Sequence, residues 1–154
     1  MSRRTLDTAQ VVDCAAALAD ADGLDAVTLT RVAERLGVRQ PALYRHVDNY
    51  DALIRALGLR GREILASRLG EAAVGLAGDD AVRAMGGAWR AVVAEHPGLY
   101  AATDRYPCSS DAELAAAVER VVQMLGQALA GYGLADDERI HAARTLRSAF
   151  HGFA

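Results

Sequence analysis

Three punctuation marks between Thr28 and Val47 restrict what this chain can become. Thr28 stands where a helix N-cap belongs, Leu29, Val32, Ala33 and Leu36 follow at helical spacing, and Gly37 closes the segment as a C-cap does. This predicts a helix of about two turns over residues 29–36. Pro41 then suits the first turn of a helix, where no backbone donor is needed. A second short helix over about residues 39–46 therefore follows a tight turn. Leu36, Val38 and Leu43 are spaced to pack the two together, which is the helix-turn-helix pattern, and its second helix is the one shaped to enter a DNA major groove. Residues 31–46 carry Arg31, Arg35, Arg39 and Arg45 against Glu34, a local charge of +3 in a chain whose total is −3. The basic patch coincides with the motif.

The rest of the sequence reads as helix. Thirty-three alanines and three prolines in 154 residues favour it, because alanine loses least on entering a helix. Val11, Val12, Cys14, Ala15, Leu18 and Ala19 form an amphipathic face ending at Asp22-Gly23. Asp48 and Asp51 flank the start of a long stripe from Leu53 to about Ala77, interrupted by Gly58 and Gly61. Val82, Met85, Trp89, Val92 and Val93 mark a helix that stops before Pro97, and a short turn of helix is expected over 98–103. A loop is expected over 104–110, after which Ser110 and Glu113 have the form of a capping box. A helix follows from Leu114 to Tyr132, and three acids, Asp136, Asp137 and Glu138, open the last one. Its apolar face, Ile140, Ala143, Leu146, Phe150 and Phe153, continues to Ala154 without a cap. The expected fold is all-α: an N-terminal three-helix helix-turn-helix domain (1–49), joined by a long helix to a helical bundle (50–154).

Several function classes are disfavoured. A pI near 5.8 excludes a polybasic nucleic-acid coat, and all 17 basic residues are arginine, whose guanidinium grips phosphate or guanine in bidentate fashion. Cys14 and Cys108 form neither a disulfide framework nor a zinc pattern. With no apolar leader and no long apolar run, the protein is expected in the cytoplasm. There is no nucleophile elbow, Gly-rich phosphate loop or HExxH, so neither an enzyme nor a bound metal or cofactor is expected.

The run from Thr28 to Val38, continuing into Pro41-Ala42-Leu43-Tyr44-Arg45-His46-Val47 and Asp51-Ala52-Leu53-Ile54, resembles the DNA-binding domain of the TetR family of bacterial repressors. Trp89, His96-Pro97-Gly98-Leu99-Tyr100 and Leu146 to Phe153 resemble a C-terminal subgroup of that family with a Trp, His and Gly pattern. The chain departs from the family in two respects. Tyr50 stands where members usually carry a lysine that contacts phosphate, and the final helices, which build a four-helix dimer interface in the family, look incomplete.

The resemblance implies a transcriptional regulator, most simply a repressor released from a palindromic double-stranded operator by a small apolar or aromatic ligand, acting as a homodimer. The alternative is a helical dimeric adaptor that has lost DNA binding. Arg39 suits guanine and Gln40 suits adenine, Pro41 and Ala42 offer apolar contact to thymine methyl groups, and Arg45 suits a base or a phosphate. Thr28, Tyr44, His46 and Tyr50 are the expected phosphate contacts, with Tyr44 otherwise a core residue, and Arg3 and Arg4 are the expected minor-groove arm. Met85, Trp89, Tyr100, Tyr106, Met124 and Phe150, with His96, Arg147 and His151 as polar members, are the candidates for the ligand pocket, against the competing reading of the aromatic and methionine positions as ordinary core.

Overall fold

The computed structural model describes residues 6–105 and 111–154, and every regular element among them is helical. The order is α1 (Thr8–Asp22), a 3-10 turn (Leu24–Ala26), α2 (Leu29–Leu36), a 3-10 helix (Gln40–Arg45), α3 (Tyr50–Ala72), α4 (Gly78–Glu95), α5 (Pro97–Arg105), α6 (Ala112–Ala128), a 3-10 turn (Leu129–Tyr132) and α7 (Asp136–Gly152). None of these helices is long and apolar enough to cross a membrane. Arg3, Arg4, Tyr106, Cys108 and Ser110 lie outside the described residues.

Helix ends follow local chemistry. Asp7 caps α1 by accepting from Gln10 N at 2.8 Å, while the Gln10 side chain accepts from Asp7 N at 3.1 Å, closing a capping box. Two caps fall on residues that spacing alone does not single out. At α3, whose start Asp48 and Asp51 flank, the Asn49 side-chain oxygen accepts from Ala52 N at 2.8 Å. At α6 it is Asp111 that accepts from the backbone of Glu113 and Leu114, each at 3.1 Å. A capping oxygen must sit two or three residues before its donor, and a shift of one residue moves that role to a neighbour of equal chemistry. Neither Gly58 nor Gly61 interrupts α3, which runs unbroken for 23 residues.

Packing divides the chain into two compact units, Met1–Gly61 with His96–Tyr106, and Arg62–Glu95 with Pro107–Ala154. These boundaries follow contacts rather than a single cut after residue 49, because α5 packs on α1. In the first unit Val11, Ala15, Leu18, Val32, Leu43, Leu53, Leu57 and Leu99 are buried. Cys14 is half-buried, and burial pushes its thiol above the usual range, with Arg35 partly offsetting the shift. In the second unit Leu69, Met85, Trp89, Leu114, Val121, Leu125 and Ala143 form the core, drawn from α3, α4, α6 and α7.

Three adjacent residues seat α5 on α1. Pro97 opens the helix, where a missing donor costs nothing. His96 Nδ1 lies 2.8 Å from Asp20 Oδ2, and Asp20 Oδ1 accepts from Leu99 N at 2.9 Å, so one carboxylate caps α5 and holds its leading histidine. Gly98 permits the approach, since a Cβ there would lie 1.9 Å from the Ala19 carbonyl oxygen. Asp20→Ala should therefore destabilise the protein by about 1–3 kcal/mol in urea unfolding, because it leaves a part-buried amide and an imidazole without their acceptor. Asp20→Asn, which keeps one acceptor oxygen, should cost less, and equal costs would refute the capping role.

Candidate nucleic-acid interface

Thr28 Oγ1 accepts from Arg31 N at 3.2 Å and starts α2. Gly37, in the left-handed region at φ +67°, ends it, with Val38 N returning to Ala33 O at 3.0 Å. The chain then enters the second short helix with Pro41 in its first turn. That segment is 3-10 rather than α-helical over Gln40–Arg45. Six residues between an extended Arg39 and the turn at His46 leave little room for an i→i+4 ladder, and short segments take the tighter form. Leu43 anchors it, fully buried, alongside buried Val32 and Val47. A rigid apolar underside fixes which side chains look outward.

Those outward residues are the expected DNA contacts. Thr28, Arg39, Pro41, Arg45 and Tyr50 are exposed, and Gln40, Ala42 and His46 are half-exposed. Tyr44 is 49% exposed, which rules out its alternative place in the core. The side chains of Arg39 and Arg45 form no hydrogen bond or ion pair with any described residue, so their guanidinium donors are available to a ligand. Arg31 is differently placed: it bridges Asp22 at 2.6 Å and the Ala26 carbonyl at 3.1 Å, bracing the start of α2. Of the four arginines in residues 31–46, Arg35 on α2, Arg39 before the second helix and Arg45 at its end have side chains free of an ion partner among the described residues.

One participant was not evident from spacing. Thr30, beside the capping Thr28, donates to Gln40 Oε1 at 3.1 Å, and Gln40 Nε2 in turn donates to the Tyr44 hydroxyl at 3.3 Å. A polar residue in the first turn of α2 is the only sequence signal for it. Its partner lies ten residues on, across a turn whose geometry decides the contact.

The ligand-pocket candidates are divided between the units. His96, just before α5, and Tyr100 on α5 lie in the first unit, where His96 is engaged by Asp20. In the second unit Trp89 is buried and meets Phe150 with ring centroids 5.8 Å apart at 56°, a tilted contact. A Cβ at Gly86 would lie 3.1 Å from the Phe150 ring, so the glycine gives that ring its seat. Met85 and Met124 line a pocket of about 250 Å³ with Gly70, Val74, Leu76 and Gln127. Arg147 is half-exposed and His151 exposed on α7, and neither lines that pocket.

Comparison with known proteins agrees with this layout. Residues 11–57 match the family described as bacterial regulatory proteins, tetR family, and residues 82–154 match the tetracyclin repressor-like C-terminal domain. The chain is 36% identical over 149 residues to the uncharacterized HTH-type transcriptional regulator Rv0681 of Mycobacterium tuberculosis, covering 96% of this chain and 68% of that one. It is 31% identical over 144 residues to the uncharacterized HTH-type transcriptional regulator YobS of Bacillus subtilis, covering 93% and 74% respectively. Among solved structures it is similar to BioQ crystallised with its natural double-stranded DNA operator, at a TM-score of 0.72 and 26% identity over 97% of this chain and 84% of that one.

Proposed function

This chain belongs to the TetR family of bacterial regulatory proteins and is a DNA-binding transcriptional regulator, and from that premise we propose that it is a repressor released from its operator by a small apolar or aromatic ligand. The observation that carries the DNA half is the pair of exposed arginines with side chains free of ion pairs, Arg39 capping and Arg45 ending a helix anchored by buried Leu43. In this reading Arg39, Gln40, Pro41, Ala42 and Arg45 face base edges, while Thr28, Tyr44, His46 and Tyr50 hold phosphates and set the register. Arg3 and Arg4 reach the minor groove. The BioQ complex with operator DNA supports this use of the fold.

The second half of the proposal assigns residues 50–154 to ligand binding and dimerisation. Two copies on a palindromic operator place their recognition helices about 34–36 Å apart. A ligand preferring a conformation in which α3 pivots changes that spacing by a few ångströms and loses simultaneous contact. The protein then works in the cytoplasm, with no catalytic step.

The test is fluorescence anisotropy on duplex DNA from upstream of its own gene, with random-sequence competitor at two salt concentrations. Affinity should fall steeply with salt, as phosphate contacts require. Arg39→Ala should weaken binding about tenfold on that duplex and far less on the competitor, as loss of a bidentate base contact implies. Equal, salt-insensitive binding by both proteins would instead favour a helical dimeric adaptor.

A further inference from the structure

The side-chain amide of Gln40 is gripped at both ends, by the Thr30 hydroxyl on its oxygen and by the Tyr44 phenol on its nitrogen. We propose that Thr30 is a specificity-determining positioning residue: through Gln40 it fixes the orientation of the amide that reads a base, and selects adenine at that position. The inference rests on the DNA-facing reading of Gln40 and Tyr44 given above.

Hydrogen accounting carries the argument. A phenol owns one hydrogen and a threonine hydroxyl owns one, whereas a primary amide has two donors and an oxygen with two lone pairs. When Tyr44 donates its hydrogen to a phosphate oxygen, it can meet Gln40 only as an acceptor. Gln40 must then point Nε2 toward Tyr44, which is the observed arrangement at 3.3 Å. Oε1 is left toward α2, and a donor is needed there to hold it. Thr30 supplies that donor at 3.1 Å. The reverse orientation needs Tyr44 to donate to Oε1, which strips the phenol of the hydrogen that grips phosphate.

With its inner partners met, the amide keeps one N–H and one lone pair for a ligand. The major-groove edge of adenine offers the matching pair, the N7 acceptor and the N6 amino donor. Guanine presents two acceptors, N7 and O6, and sets its O6 against the glutamine oxygen. Phosphate contact and base choice are thereby joined through three side chains in one compact unit.

The experiment is selection of binding sites from a randomised duplex library by the full chain, followed by sequencing. Wild type, Thr30→Val, Thr30→Ser, Gln40→Ala and the Thr30→Val/Gln40→Ala pair are compared at one salt concentration. Wild type should enrich adenine at one motif position by about tenfold, and Gln40→Ala should flatten that position alone. Thr30→Val should cut the preference there to about twofold, leaving other positions and the salt slope unchanged. Thr30→Ser should restore it, and Thr30→Val should change nothing further in the Gln40→Ala background. Should the valine variant fail to fold, Thr30→Ala carries the same expectation.

Unaltered preference in Thr30→Val, or equal loss at every position, would overturn the role of Thr30. Enrichment of another base at the position flattened by Gln40→Ala would overturn the choice of adenine. A wild-type protein that enriches no motif would overturn the DNA-facing reading itself, a different outcome from either.

Discussion

Gly98→Ala should destabilise the protein by about 3 kcal/mol, the upper end of what overpacking costs, and lower its melting temperature by about 10 °C. The added methyl would lie 1.9 Å from the oxygen and 2.1 Å from the carbon of the Ala19 carbonyl. Both are backbone atoms inside α1, so no rotamer change relieves the clash and α5 must lift away. Lifting it also breaks the Asp20 contacts to His96 and Leu99. Gly61→Ala gives a graded comparison. Its Cβ would meet the Leu99 carbonyl oxygen at 2.9 Å and the Thr103 methyl at 3.0 Å, a milder conflict worth about 1 kcal/mol. Gly126 on α6 has open space around it, so Gly126→Ala should be neutral or stabilise by up to about 1 kcal/mol through helix propensity. Differential scanning calorimetry on the three variants gives the ranking. Gly98→Ala melting with wild type would mean that α5 does not lie on α1 in this way.

His96, Pro97 and Gly98 show what the sequence disclosed and what it hid. His96-Pro97-Gly98 stands out as a motif when read along the chain, but nothing local says that the histidine pairs with a carboxylate 76 positions earlier. Along the chain, His96 of this motif and nearby Tyr100 point toward a ligand pocket, and in the fold the histidine and glycine also serve the docking of α5 on α1. Caps written in adjacent residues were legible: Thr28 and Gly37 bound α2 where expected. Where two capping residues compete, as with Asp48 and Asn49, propensity cannot choose, because the geometry of the preceding turn decides which oxygen reaches the amide. The 3-10 character of Gln40–Arg45 was hidden for a related reason. Periodicity over six residues does not separate a tight helix from an α-helix. The outward set on that helix was nonetheless legible, since burying Leu43 fixes the direction of its neighbours.

Trp89→Ala should cost about 3–5 kcal/mol, as truncation of a buried aromatic does. Trp89 is 3% exposed, lies on the buried face of α4 and meets Phe150 of α7, so its removal opens a large void and leaves that ring without its partner. Phe150→Ala should cost less, because Phe150 is only half-buried, and it should shift the Trp89 emission to longer wavelength as water reaches the indole. Trp89 is the only tryptophan in the chain, so emission reports on this contact alone. Guanidinium unfolding followed by circular dichroism measures both costs without depending on the indole. The outcome also bears on the proposed ligand. A full-sized loss would mark Trp89 as tightly packed core and turn the search for the ligand toward the Met85 and Met124 pocket. A loss below about 1 kcal/mol would instead mean that the indole borders space able to collapse or refill, because the cost of truncation tracks the cavity that remains. Trp89 would then be a wall of the ligand site, and its emission a direct readout for titrating apolar and aromatic compounds.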